Sequence, residues 1–315
     1  MTTLPVMRAS ELSEQAAESR WLIRSLWARS GVGILGGAPK CCKSWLGLDI
    51  AVSVASETPC LGYFDVADPG GALVYMAEDA LATVKDRILG ICRHRGLDLQ
   101  TLPLDVITAP SLRLDLERDQ ERLVEAVHRL KPRLLLLDPF VRLHRIDENN
   151  SGDVSQLLGY LRELQRRYDL AIVVTHHARK NGPAGAQAGQ GLRGSGDLHA
   201  WGDSNLYLRR TRDTLTLTVE HRAASSLDPF KICLVVEHNK DAHLEIDTDR
   251  TENHVMENDI EAAVLAALEP MPLSRTHLRS IIQIRNERLG QLLAQLTRDG
   301  QVMRYGDKWG LSKSQ

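Results

Sequence analysis

The segment Gly36-Gly37-Ala38-Pro39-Lys40-Cys41-Cys42-Lys43-Ser44 constrains this chain more than any other, because it joins the apolar run Gly33-Ile34-Leu35 to the helix-like run Trp45 to Ser56. A buried strand, a Gly-containing turn and a helix that opens on Lys-Ser gather backbone N–H groups and a helix N-terminus around one point, where an anion is held. The pattern G-x-x-x-x-G-K-[ST] assigns the lysine to the β- and γ-phosphates and the hydroxyl to Mg²⁺. Here those residues are Lys43 and Ser44, with Gly37 at the first glycine position. Gly37, Ala38, Pro39, Lys40, Cys41, Cys42, Lys43, Ser44 and Trp45 are therefore the candidate ATP-binding residues. Read without a nucleotide, the same segment is a Gly/Pro turn between a strand and a buried helix.

One departure stands out. The glycine expected just before the lysine is Cys42. The backbone meets phosphate at that position, and a residue without Cβ is least strained there. The substitution predicts weakened ATP binding or slow turnover.

At 315 residues the chain exceeds one typical domain and implies two. Its formal charge of -2 conceals a basic C-terminal segment. From Pro272 to Gln315 there are eight Lys and Arg residues against three Asp and Glu, a net of +5 suited to phosphate. Five cysteines in no framework spacing imply free thiols and a reducing cytoplasm. The polar stretch Met1 to Arg20 has no hydrophobic signal core, and no apolar run approaches membrane-spanning length. A cytoplasmic protein without a membrane partner is expected.

Several strand ends carry chemistry. The run Trp21 to Trp27 is expected to pack on the core. Ala72 to Met76 reads as a strand that ends in Ala77-Glu78-Asp79, and in a parallel sheet that end faces the ligand edge. Glu78 is the candidate for polarising the attacking water, with Asp79 as a helix cap; a cap alone is the other reading of the pair. Leu134-Leu135-Leu136-Leu137-Asp138 is a strand buried on both faces with an acid at its C-terminal end, the Walker B pattern, so Asp138 is assigned to the Mg²⁺ shell with Ser44. A further strand, Leu170 to Val174, leads into Thr175-His176-His177. Its histidines are either γ-phosphate sensors or structural imidazoles, and His177 is carried forward as catalytic.

Lys180 to Asp203 is too Gly-rich for regular structure, and a loop of that kind beside a site is functional or disordered. Arg179, Lys180 and Arg193 make it a candidate DNA contact. Strands over 205–210, 215–219 and 232–236 extend the sheet, and Lys240 after the last of them is a candidate basic finger toward a neighbouring subunit's nucleotide.

Taken in order, GGAPKCCKS, VYMAED, LLLLDPFVRLHRIDENNSGD and VVTHHARK resemble the RecA-type ATPases of the AAA_25 group, which includes the RepA hexameric replicative helicases of broad-host-range plasmids. The match covers about Trp21 to Lys240. The resemblance implies an α/β, RecA-like P-loop NTPase core, with a mostly parallel sheet flanked by helices. It also implies ATP and Mg as cofactors, a homo-oligomeric ring, and action on DNA. Lys43, Ser44, Glu78, Asp138, His176 and His177 match the family's nucleotide-chemistry positions.

After a polar connection, residues 259–315 read as three helices and a hairpin, a winged helix-turn-helix. The third helix presents Arg285, Asn286, Arg288, Gln291 and Gln295 to a major groove, and Arg304 and Lys308 on the wing meet the DNA backbone. A protein-binding winged helix is the other reading. The expected division is an arm over 1–20, an ATPase domain over 21–250, a linker over 251–258 and the winged helix over 259–315. Two functions fit: a plasmid-type replicative helicase, or a nucleotide-gated DNA-binding regulator or recombination mediator that turns over little ATP and unwinds nothing.

Overall fold

The computed structural model describes residues 4, 6–11, 17–148, 150–177, 197–212, 214–237, 241–247, 257–282, 286–298, 301–306 and 308–312. The chain divides into two units, Met1–Asp247 and Thr248–Gln315. The residues assigned to a connecting segment over 251–258 lie almost wholly outside the described residues.

The first unit opens with a small antiparallel pair, β1 (Trp21–Ile23) and β2 (Trp27–Ala28). Leu22, Ile23, Leu26 and Trp27 are all buried, so this stretch packs on the core as its pattern predicts. Strands and helices then alternate: β3 (Val32–Gly37), α1 (Lys43–Ser56), β4 (Ala72–Met76), α2 (Leu81–His94), β5 (Leu104–Val106), α3 (Glu117–Leu130), β6 (Leu134–Asp138), α4 (Ser151–Tyr168) and β7 (Ala171–His177). The short helix α5 (Asp197–Trp201) precedes four more strands, β8 (Ser204–Thr211), β9 (Thr214–His221), β10 (Phe230–Val236) and β11 (Ala242–Ile246).

These strands form one nine-stranded sheet in the order β11-β10-β9-β8-β3-β7-β6-β4-β5. The block from β8 through β3, β7, β6 and β4 to β5 is parallel, and β8 to β11 continue as antiparallel neighbours. Because successive side chains alternate faces, a continuous apolar strand serves two cores at once. Leu134 and Leu136 pack on one side with Leu46, Leu48 and Ile88, whereas Leu135 and Leu137 pack on the other with Leu123, Leu157 and Leu161. Helix α1 is buried nearly all round, which is why its sequence shows no polar stripe.

That topology brings the C-terminal ends of β3, β6 and β4 to one edge of the sheet, where ligands bind in open α/β folds. Helix α4 begins at Ser151, where the Asn150 side chain caps it by accepting the Gly152 N–H at 3.0 Å. No helix among the described residues is long and apolar enough to cross a membrane.

The second unit contains α6 (Glu257–Leu268), β12 (Leu273–Ser274), α7 (Arg275–Ile282), α8 (Asn286–Arg298), β13 (Val302–Tyr305) and β14 (Lys308–Leu311). Its three strands pair antiparallel in the order β12-β14-β13. Val264, Leu268, Leu278, Leu289, Leu293, Leu296 and Val302 form its own core.

Candidate active site

The loop between β3 and α1 is built around its lysine. Lys43 is 6% exposed, and its Nζ donates to the carbonyls of Gly37 at 3.0 Å and Ala38 at 2.9 Å. A methyl group on Gly37 would lie 2.6 Å from both the Leu208 carbonyl oxygen and Cys41 Sγ, so only glycine lets β8 and the loop close on this strand end. Lys40 and Cys42 both stand in the left-handed region, at φ +66° and +65°. The cysteine thus occupies the backbone conformation that a glycine adopts freely, at a cost of ~1–2 kcal/mol for a residue with Cβ. Its Sγ lies 3.4 Å from the Arg210 guanidinium of β8.

The Walker B acid lies against the same loop. Asp138, 5% exposed at the end of β6, accepts hydrogen bonds from the hydroxyls of Ser44 and Thr175. Burial pushes its carboxyl above the ordinary range, against the Ser44 and Thr175 bonds and the Lys43 charge, which pull it down without cancelling the burial. Burial also pushes the Lys43 amine below its usual value, opposed by Cys41, Asp138 and Glu78. The Cys41 thiol is driven up, chiefly by burial. Ser44 and Asp138 fit a hard divalent cation: a hydroxyl and a carboxylate in direct contact at the head of a helix are the oxygen donors Mg²⁺ takes alongside nucleotide phosphates.

Glu78, just beyond β4, reaches the same edge. Its Oε1 accepts from Arg142 Nε at 2.7 Å, and both side chains are substantially exposed. Asp79 departs from its expected role. Helix α2 takes Ala80 as its N-cap with no side-chain bond, and Asp79 instead accepts both terminal nitrogens of Arg87, at 2.6 and 3.0 Å. A fork-to-fork pair is worth more to a partly buried carboxylate than one backbone N–H. The same guanidinium sits 5.5 Å from the Trp45 ring centre, so Trp45, half-buried on the core, is covered by Arg87.

His176 and His177 end β7 opposite Gly36 and Gly37 of β3. His176 is 1% exposed with its ring 5.9 Å from Phe140, which makes it part of the interior, whereas His177 is half-buried at the strand end beside the loop. Pro39 and Lys40 are exposed on the loop. Arg179, Lys180, Arg193, Lys240 and Arg285 lie outside the described residues, and Arg288 lies in α8 without a described side chain. Arg304 and Lys308 are exposed on β13 and β14, with Arg304 5.9 Å from the Trp309 ring centre.

Three participants escape the sequence reading. Thr175 had a signal, a hydroxyl at the end of a buried strand. Arg142 lies in the Walker B block but carries no pattern of its own. Arg210 is 168 residues from Cys42 and is brought there only by the parallel pairing of β8 with β3.

A family model described as an AAA domain, AAA_25, matches residues 2–183. The chain belongs to the AAA_25 family. Its fold is also that of a solved ATPase domain, with a TM-score of 0.53 and 11% identity, covering 66% of this chain and 83% of that chain. Together with the loop and the Walker B acid, this makes the first unit of the AAA_25 chain a RecA-like P-loop ATPase domain.

Proposed function

We propose that this AAA_25 chain is a Mg-dependent ATPase that acts on DNA as a homo-oligomeric ring, a replicative helicase of the RepA type from a plasmid or mobile element. The observation that carries the reading is the convergence of Lys43, Ser44 and Asp138 at one point of the sheet edge, with Glu78 close enough to act on Lys43. Lys43 leaves the Gly37 and Ala38 carbonyls to bind the β- and γ-phosphates. Ser44 and Asp138 hold the cation, which when bound neutralises phosphate charge. Glu78, once free of Arg142, orients and deprotonates the attacking water, and His177 senses the γ-phosphate from the end of β7. Lys240 of a neighbouring subunit completes the site as a basic finger.

In this reading the second unit is a winged helix, supported by its three helices and its β12-β14-β13 sheet. Arg285 and Arg288 read duplex DNA, Arg304 and Lys308 bind its backbone, and Arg179, Lys180 and Arg193 contact single strands in the ring.

A second reading, a nucleotide-gated DNA-binding regulator, is favoured by two observations: Cys42 holds a strained φ beneath Arg210, and Glu78 is tied to Arg142. Steady-state ATP turnover with and without single-stranded DNA separates the two, with Glu78→Gln as the control for contaminating activity. DNA-stimulated turnover that the variant loses supports the motor. ATP binding without turnover supports the regulator.

A further inference from the structure

We infer that the AAA_25 chain binds a transition-metal ion of the zinc class at His94, His243 and Glu245, remote in sequence from the phosphate loop. The candidate ligand atoms of these three residues all lie within 4.8 Å of one another. His94 is the last residue of α2, and His243 and Glu245 lie on the same face of β11, two residues apart. A fourth donor, Glu237, follows β10, with its Oε1 3.4 Å from His94 Nδ1 and 3.7 Å from His243 Nδ1.

The backbone is arranged to bring the two imidazoles together. Gly90 faces β11 one helical turn before His94, and a Cβ there would lie 3.0 Å from the Ala242 carbonyl oxygen and 3.1 Å from its nitrogen. The missing side chain lets α2 settle directly on β11, so that His94 meets His243, the residue after Ala242. Their rings stack with centres 3.4 Å apart and planes 13° from parallel. Arg93 is committed to Asp241, at 2.8 and 3.2 Å, which keeps its charge on that carboxylate.

The chemistry selects a divalent ion with affinity for nitrogen. His243 is nearly wholly buried; its Nε2 meets Glu245 Oε1 at 2.7 Å, and its Nδ1, shut off from solvent, has no hydrogen-bond partner among the described residues. Two imidazoles with carboxylates suit zinc, nickel or copper rather than Mg²⁺. His94, half-exposed at a helix end, has the freedom to swing out of the stack and point a nitrogen at the same ion as His243. The ion then clamps α2 to β11 and to Glu237, the residue after β10.

The test is calorimetric titration of the purified full-length chain, stripped with chelator, with zinc chloride and no nucleotide. The substitutions are His94→Gln and Glu245→Gln, both at partly exposed side chains, so the buried His243 is left in place. The wild type is expected to take up a zinc equivalent that raises its melting temperature, and each variant to weaken that binding at least ~100-fold, the upper end of what disturbing a mere supporting residue costs. No zinc uptake by the wild type at submillimolar concentration overturns the assignment. Zinc uptake that His94→Gln leaves unchanged overturns it equally, because the ion is then bound elsewhere. Neither readout involves ATP, so failure here leaves the ATPase reading standing.

Discussion

The phosphate loop carries a measurable strain at Cys42, and replacing that residue isolates it. At φ +65° and ψ 22° the residue lies in the left-handed basin, where a Cβ costs ~1–2 kcal/mol. Glycine removes that cost but gives back ~0.5–1 kcal/mol through the greater entropy of its unfolded chain. Cys42→Ala is the proper comparison, since both variants lose the thiol that approaches Arg210 at 3.4 Å and only alanine keeps the Cβ. Cys42→Gly is therefore expected to exceed Cys42→Ala in stability by ~0.5–1 kcal/mol, or ~1–4 °C in melting temperature for a unit of this size. Thermal unfolding by calorimetry measures it, and an alanine variant as stable as the glycine variant would refute the reasoning. ATP affinity reports something different. The αL conformation belongs to the chain's own structure, so its cost falls on folding. Tighter ATP binding by Cys42→Gly then arises from clearing Sγ away from the phosphate, and Cys42→Ala is expected to share the gain. A gain confined to glycine would show that strain enters binding after all.

Three further expectations follow from the same geometry. Lys43→Ala loses charge-assisted bonds worth ~1.5–3 kcal/mol each, so ATP binding measured by calorimetry falls ~100-fold or more. Arg142→Ala releases Glu78 from an exposed ion pair worth ~0.2–1 kcal/mol, so turnover without DNA rises by up to ~5-fold; unchanged or lower turnover in a steady-state assay would remove Arg142 as a restraint. Asp119 is pushed up by burial but is held below the usual carboxylate range overall by the Arg113 N–H, Arg122 and Arg118. A depressed carboxylate stabilises fully above its unfolded value of ~3.9 and loses that contribution as pH falls through its lower folded value. The melting-temperature gap between wild type and Asp119→Asn is thus expected to be full above about pH 4 and to close in stronger acid.

Most of the sheet was legible because its signals are local. Leu134 to Leu137 announce a strand buried on both faces, and Gly33 to Ser44 announce a strand, turn and helix within one short segment. Trp27 could be placed in the core from its apolar neighbours alone. What escaped depends on contacts between distant parts of the chain. Asp79 reads as a cap from its position, and only the docking of α2 offers it the bidentate Arg87 instead. Arg210 reads as one of many basic residues until β8 pairs with β3 and carries it to Cys42. His176 and His177 have the same residue type and adjacent positions, yet strand alternation turns one inward against Phe140 and leaves the other at the edge. The His94–His243 stack had no sequence signal, since it arises from the close approach that Gly90 permits.

Four charged groups of the site have internal partners: Lys43 has two carbonyls, Asp138 has the Ser44 and Thr175 hydroxyls, Glu78 has Arg142, and Asp79 has Arg87. Nucleotide binding is therefore an exchange of partners, and its net free energy is a difference between bonds made and bonds given up. The exchanges differ in cost. Lys43 moves from neutral carbonyls to phosphate, a gain in charge complementarity, and it does so from a buried position where that charge was disfavoured. Glu78 gives up an exposed ion pair worth little, so its release is easily driven by small shifts in the segment after β6 that carries Arg142. Asp79 and Arg87 hold a bidentate pair across the start of α2 and have the least to gain from moving. In the proposed function, that order of cost sets a division of labour: lysine and Walker B acid capture nucleotide, Arg142 governs whether the glutamate is available, and the Asp79–Arg87 pair keeps α2 fixed while they do so. On that proposal, a ligand that moves the segment after β6 is expected to control turnover without altering affinity, the coupling that a DNA-driven ATPase requires.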